Sequence, residues 1–340
     1  MVVIDSETIS VNTKSYKPVN NNNLVIEALK SDEKIEENLH VISVISNICN
    51  FKRRYELMNK FIENCKNYYN VILYIVELAY GEQEFKITDS NNPRHLQLRT
   101  NKAIWHKESM INVGISKLLP NDWKAVCILD GDIEFENPNW ANDTLKILTK
   151  FNIVQPFTCC FDLNQNEIPM SIWQSFGYQF CSGKEFKYET GLNYFHTGYG
   201  LALRRDFYDE MGGLYEHGIL GSGDYIFFQA IMGFSACVDA KLTNFYEHIK
   251  EYVDKMQKLN VKVGYVPVNI KHYFHGSKQK RKYVERNQIL VKYNYVPKVH
   301  IEKDANGLII PSESCPEGML DEILEYFSVR DEDEFYNGEQ

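Results

Sequence analysis

The stretch Cys127-Ile128-Leu129-Asp130-Gly131-Asp132-Ile133-Glu134-Phe135 brings two carboxylates together at the end of an apolar, β-prone run. Side chains alternate along an extended chain, so Asp130 and Asp132 are expected to point the same way. A hydrophobic strand that runs into acids places them at the carboxyl edge of a sheet, where open α/β folds bind ligands. Two close carboxylates repel each other. A hard divalent cation, Mn2+ or Mg2+, relieves the repulsion and keeps positions open for phosphate oxygens. Gly131, which has no Cβ, is expected to let a bulky ligand approach the backbone. Asp-Gly is also a common turn pair, so a plain surface turn is the competing reading.

The elements that must position these acids follow from periodicity. Residues 40–48 are β-branched and bounded by polar residues, which predicts a first strand. Tyr55, Met58, Phe61, Ile62 and Cys65 fall at helical spacing and predict a helix over residues 50–66. A second buried strand spans 71–78, so the three elements form a parallel βαβ unit with a right-handed crossover. Residues 81–99 are polar and loop-like. A helix over 101–119, stopped by Pro120, precedes the third strand at 125–129, which delivers the acids. A helix over 140–151 and a strand over 153–157 follow. Residues 162–190 show no period. Their aromatics Trp173, Phe176, Tyr178 and Phe180 read equally as a substrate-covering loop or as ordinary core. Beyond them the pattern predicts a strand at 199–203, helices at 205–211, 225–232 and 245–259, and a strand at 261–270. Gly212-Gly213 stops the first of those helices. A glycine-flanked loop spans 219–224, and no internal repeat is present.

With 340 residues, 44% of them hydrophobic, the chain can bury a substantial core in one large domain or two small ones. A net charge of −9 argues against a general nucleic-acid binder. Eight cysteines without C-x-x-C spacing read as reduced, mostly buried thiols. No secretory signal pattern and no bilayer-length apolar run are visible, so a cytoplasmic protein without a membrane span is expected. Residues 1–38 read as a flexible arm with one short helix near Leu24 to Leu29, and the acidic end reads as a tail that frays.

Three blocks flank the D-G-D in a telling order. They are W-H-K-E-x-x-x-N-V-G from Trp105 to Gly114, G-G-L-Y-x-x-x-I-L-G-S-G-D from Gly212 to Asp224, and H-Y-F-H-G-S from His272 to Ser277. In this order the chain resembles GT-A fold glycosyltransferases. It is similar to glycosyltransferase-like proteins of large DNA viruses and phages, and more distantly to the β-1,4-galactosyltransferase family. The resemblance covers about Val41 to Gln288. It implies an α/β fold of GT-A type, a Rossmann-like mixed sheet flanked by helices. It also implies a transferase domain over 39–290 and a C-terminal extension over 291–340 ending in the acidic tail. If the chain is viral, the host cytoplasm is its compartment.

Roles carry over by position. Asp132 matches the metal-binding second aspartate of the family's D-x-D, and Asp130 the first, on the donor side. Where the galactosyltransferases carry F-N-R, this chain has Trp105, His106 and Lys107. Trp105 is thereby implied to stack on the nucleotide base and Lys107 to reach the diphosphate; ordinary packing is the equal alternative for Trp105. The family's methionine and histidine metal ligands correspond to His272 and His275, with a surface pair as the plain alternative. Its glycine-rich acidic loop is reduced here to Gly221-Ser222-Gly223-Asp224, which leaves Asp224 as general base or, more plainly, as a helix cap.

The residues agree with this on chemical grounds. Sugar transfer from a nucleotide needs a Lewis acid on the departing diphosphate, a carboxylate for the acceptor proton and cations for the phosphates. Lys107, Lys278 and Arg281 are available, and Arg53 and Arg54 read as nucleotide contacts or as a solvated helix start. His196 is a weaker site candidate. The expected partners are a nucleotide sugar, UDP-linked, and a glycan or protein acceptor, with inversion favoured. A nucleotidyltransferase acting on sugar phosphates is the first alternative, weakened by the lack of any glycine in residues 40–54. A glycan-binding protein that has lost turnover is the second.

Overall fold

The computed structural model describes residues 19–185, 195–234, 241–283 and 285–334. Its first half runs α1 (Asn22–Lys30), β1 (Leu39–Ser46), α2 (Lys52–Cys65), β2 (Val71–Tyr80), β3 (His95–Thr100), α3 (Lys107–Leu118), β4 (Ala125–Leu129), β5 (Ile133–Phe135), α4 (Trp140–Ile147), β6 (Ile153–Gln155), β7 (Cys159–Leu163), β8 (Pro169–Gln174) and α5 (Phe176–Cys181). The second half runs β9 (Gly200–Arg204), α6 (Arg205–Met211), α7 (Gly223–Met232), α8 (Thr243–Met256), β10 (Val263–Tyr265), β11 (Asn269–His272), a 3-10 turn (Gln279–Arg281), α9 (Asn287–Lys292), α10 (Pro297–His300), β12 (Ile301–Lys303), β13 (Ile309–Pro311) and α11 (Glu317–Ser328).

Seven strands form the central sheet in the order β10-β6-β9-β4-β1-β2-β3. β1 pairs in parallel with both β2 and β4, while β9 runs antiparallel to β4 and β6. The class is therefore α/β with a mixed sheet flanked by helices, as the sequence predicts. β4 is buried along its whole length, because helices cover both faces. On one face Ile42, Val76 and Ile128 pack with α3 and α7. On the other, Val41, Ile45 and Cys127 pack with Met58 and Phe61 of α2 and Trp140 of α4. Burying each such aliphatic side chain contributes about 1.5–3 kcal/mol.

Gly114 of the N-V-G block sets how closely α3 approaches the sheet. A Cβ there would lie 2.5 Å from Ile42 Cδ1 and 2.6 Å from Val76 Cγ2. Asn112 of the same block links α3 to the G-G-L-Y block. Its amide donates to the Leu214 carbonyl at 3.0 Å, and its oxygen accepts from the Leu214 N–H at 2.9 Å.

Four features differ from the sequence expectation. The expected loop 81–99 ends in an edge strand, β3, whose polar alternation hid it. The helix expected from 101 begins only at Lys107, after the Trp105 N–H has bonded the Ile219 carbonyl at 2.9 Å. The aperiodic stretch 162–190 holds β8 and α5, while its residues 186–194 lie outside the described residues. The strand expected over 261–270 is two strands, because Pro267 has no N–H for a ladder.

That break has a consequence for the site. β10 stays in the large sheet, while β11 joins a second sheet of order β5-β11-β7-β8. Of the N-terminal arm, residues 1–18 lie outside the described residues, and α1 packs its Val25 and Ala28 into the core. The acidic segment 330–334, expected to fray, is packed instead, with Glu332 only 1% exposed. Its pairing with Arg54 and Arg330 explains this, as described below. Seven cysteines among the described residues are free thiols, and no helix among them is long and apolar enough to cross a membrane.

Candidate active site

The D-G-D is the corner where the chain leaves the large sheet for the small one. β4 ends at Leu129, the Asp130 N–H donates to the Tyr199 carbonyl at 3.0 Å, and Gly131-Asp132 is a turn into β5. The extended alternation expected here does not hold, and the two acids take different partners. Asp130 binds the ammonium of Lys107, whereas Asp132 faces His272 and His275. Gly131 does not open a path for a ligand either. The space beside it is filled by Met58, whose Cε would lie 2.6 Å from an added Cβ.

The small sheet aligns the candidate metal ligands. β11 lies between β5 and β7, and His272 is in register with Ile133 on one side and Asp162 on the other. Its Nδ1 is 2.7 Å from Asp162 Oδ1, which turns Nε2 toward Asp132 Oδ2, 3.7 Å away. His275, just past the strand, places Nε2 at 3.0 Å from the same Asp132 oxygen. One ligand atom from each of Asp132, His272 and His275 lies within 4.8 Å of the others.

The residues fit a divalent cation. The other oxygen of Asp132, Oδ1, is buried without a hydrogen-bond partner among the described residues, an arrangement that is unfavourable unless something positive satisfies it. Burial opposes a charge on His272, but Asp132 and Asp162 outweigh it and raise the imidazole to about 9. Burial likewise opposes ionisation of Asp132, yet the two imidazoles hold its carboxyl well below the usual range. The cluster thus favours positive charge beside an ionised carboxylate. Two imidazoles with one carboxylate suit a transition-series ion better than Mg2+, which prefers oxygen ligands.

Each predicted phosphate cation is engaged by an acid or a ring. Lys107 opens α3 and pairs with Asp130; burial works against its charge, but Asp130, Glu108 and Asp224 hold it above the ordinary lysine range. Lys278 pairs with Asp162 and lies 5.1 Å over the Trp173 ring. Arg281 Nη2 reaches His275 Nε2 at 2.7 Å. Arg53 donates Nε to the Phe274 carbonyl at 3.0 Å and faces Glu56. Of these two neighbours it is Arg54 that lines a separate pocket, because successive helical residues face different sides.

That pocket opens at the carboxyl ends of β1 and β2 and is lined by Ser46, Asn47, Arg54, Tyr80, Trp105 and Arg330 among others. The Trp105 ring lies 5.5 Å from the Arg330 guanidinium, and its Nε1 donates to Glu108 Oε2 at 2.9 Å. Glu108 was not singled out from sequence, where an acid in the first turn of a helix is unremarked. Burial raises its carboxyl to about 7.

Asp224 stands in the first turn of α7, but Ser222 holds the cap position, with a left-handed φ of 72°. Asp224 Oδ2 instead accepts from the Thr197 hydroxyl at 2.8 Å. The segment from His196 to Tyr199 lies between Asp224 and the candidate metal ligands. His196 stacks on Tyr199 with centroids 3.9 Å apart, and burial lowers its imidazole to about 4. The Tyr199 ring is 4.7 Å from that of His272, and Tyr199 adopts φ 73°, a strained conformation for a bulky residue. Such strain concentrates at functional sites.

No protein-family model matches this chain, and no curated protein matches it. Among solved structures, a mutant of Drosophila β1,4-galactosyltransferase 7 with manganese, UDP-Gal and xylobiose is similar at 10% identity and TM-score 0.41, over 84% of this chain and 98% of that one. A mannosyltransferase from Pyrobaculum calidifontis with GDP-Man and Mn2+ is similar at 10% identity and TM-score 0.39, over 89% of this chain and 74% of that one. These scores describe a loose likeness of shape.

Proposed function

We propose that this chain is a metal-dependent glycosyltransferase of GT-A type, moving a sugar from a UDP-linked donor to a hydroxyl acceptor with inversion. The observation that carries the reading is the Asp132, His272 and His275 cluster. It lies at the carboxyl edge of parallel strands and carries an unsatisfied buried carboxylate oxygen. Residues 39–290 are the transferase domain on this reading, and 291–340 support it. The likeness of the three sequence blocks to viral and phage proteins supports a role in viral glycosylation in the host cytoplasm.

Asp132, His272 and His275 would hold Mn2+, which when bound acts as a Lewis acid on the leaving diphosphate. Trp105 and Arg54 supply the walls of the base pocket. Lys107 and Lys278 orient the phosphates, exchanging their present carboxylate partners for phosphate oxygens. Asp224 faces the acceptor side. The acceptor oxygen bonds to the anomeric carbon, the bond to the diphosphate breaks, and the acceptor proton passes to Asp224.

A thermal-shift screen of nucleotide sugars, each with and without Mn2+, tests the reading, since a ligand that binds only the native state raises its stability. A shift with UDP-sugars that requires Mn2+ is expected. No shift with any nucleotide sugar would refute it. Release of pyrophosphate from a nucleoside triphosphate and sugar phosphate would favour the nucleotidyltransferase instead. Binding without donor turnover would favour the glycan-binding alternative.

A further inference from the structure

Four consecutive acids, Asp331-Glu332-Asp333-Glu334, follow α11 and return to the candidate site from the far end of the chain. Each has a defined partner. The Asp333 carboxylate accepts from the backbone N–H groups of Lys52 at 3.0 Å and Arg53 at 2.9 Å, and so caps α2, whose own cap residue Phe51 makes no side-chain bond. Glu332 binds the Arg54 guanidinium through both oxygens and Arg330 Nη2 at 2.8 Å, and its carboxylate lies 3.6 Å from His275 Nδ1. Glu334 accepts from the Ser277 N–H at 3.1 Å, and Asp331 pairs with Lys280 at 2.7 Å.

The backbone of this segment is also fitted to the loop that carries His275. Gly276 adopts φ 91°, and a Cβ there would lie 3.1 Å from the Asp331 carbonyl oxygen and 3.2 Å from the Glu332 Cα. Arg330 completes the connection by covering the Trp105 ring and lining the pocket. Three separate parts of the site are therefore tied by one strap: the start of α2 with Arg54, the loop from His275 to Ser277, and the Trp105 wall.

We propose that Arg330–Glu334 is a clamp built into the fold. Its acids are positioning residues that hold His275 and Arg54 where the cation and the donor need them. The inference rests on the reading above. The opposite role, a plug that a donor must displace, fits the packing poorly. Withdrawing Glu332 would leave the buried Arg330 and the half-buried Arg54 without their carboxylate, an unfavourable state.

The test compares the full chain with a variant ending at Val329 and with full-length Glu332→Gln, using Mn2+ alone followed by electron paramagnetic resonance. Removing the partners that orient a ligand typically weakens metal binding by about 10–100-fold. A loss of tenfold or more is expected in both variants, with partial recovery when a synthetic peptide of residues 330–340 is added to the shortened chain. Hydrogen exchange at the Arg53 and Ser277 amides should accelerate in the shortened chain, and the ring nitrogen resonances of His275 should shift in Glu332→Gln while those of His272 hold. If the shortened chain does not fold, Glu332→Gln decides. Variants that bind Mn2+ as tightly as the parent, or bind UDP more tightly, overturn the clamp alone. A full-length chain that binds no Mn2+ overturns the proposed function, and the clamp with it.

Discussion

Nδ1 of His272 lies 2.7 Å from Oδ1 of Asp162, across the adjacent parallel strands β11 and β7. The contact fixes which ring nitrogen of His272 faces Asp132. Asp162 is itself only 2% exposed and also holds Lys278. Asp162→Asn keeps the shape but removes the charge that orients the ring. Mn2+ affinity should fall by about 10–100-fold with the fold retained. Titration of the variant with Mn2+ checks this, and an unchanged dissociation constant would remove Asp162 from the site.

Asp132→Ala should abolish metal-dependent donor binding while leaving the fold intact. The carboxylate sits in a turn between two strands, and its side chain is 20% exposed, so its loss opens no core cavity. Isothermal titration with UDP and Mn2+ checks the outcome. A variant that binds as tightly as the parent would show that the D-G-D does not hold the ion.

Asp224→Asn should lower turnover by about 10²–10⁴-fold while donor affinity holds. Asparagine can still accept from the Thr197 hydroxyl, so the local structure at the start of α7 is kept. Steady-state kinetics on a reactive acceptor separate the two quantities. A near-normal rate would refute the assignment.

Glu108→Gln should change how stability depends on pH. Burial raises the Glu108 carboxyl to about 7 from an ordinary 4.5, so the native state keeps a proton that the unfolded chain has already released. The stability tied to that proton is whole below pH 4.5 and is lost as pH rises through about 7. Glutamine mimics the protonated form and still accepts from Trp105 Nε1. Parent and variant should unfold alike near pH 4.5 and separate by pH 8, with the variant more stable by on the order of 3 kcal/mol. Urea unfolding at both pH values measures the gap, and equal midpoints at pH 8 would contradict it.

Much of the framework is legible in local pattern. The β-branched runs of β1, β2 and β4 and the helical spacing of Met58, Phe61 and Cys65 in α2 are short-range signals, and the structure places strands and a helix there. The sequence likewise marked Asp132 at a strand end and His272 and His275 after a strand. Chain chemistry alone also accounts for Gly212 as the stop of α6, since its φ of 78° suits a residue without a Cβ.

Tertiary structure decided which of these residues meet. His272 and Asp162 are 110 residues apart, and Arg54 and Glu332 are 278 apart. Their pairing depends on sheet register and on where α11 ends. The second sheet was hidden because β7 and β8 are short, and because Pro267 split what looked like one strand. Lys107 and Lys278 carry the same charge in sequence, yet one faces Asp130 and the other Asp162. Local periodicity records which face a side chain takes and how buried it is, but the partner across a sheet is set by long-range register, which no neighbouring residue encodes.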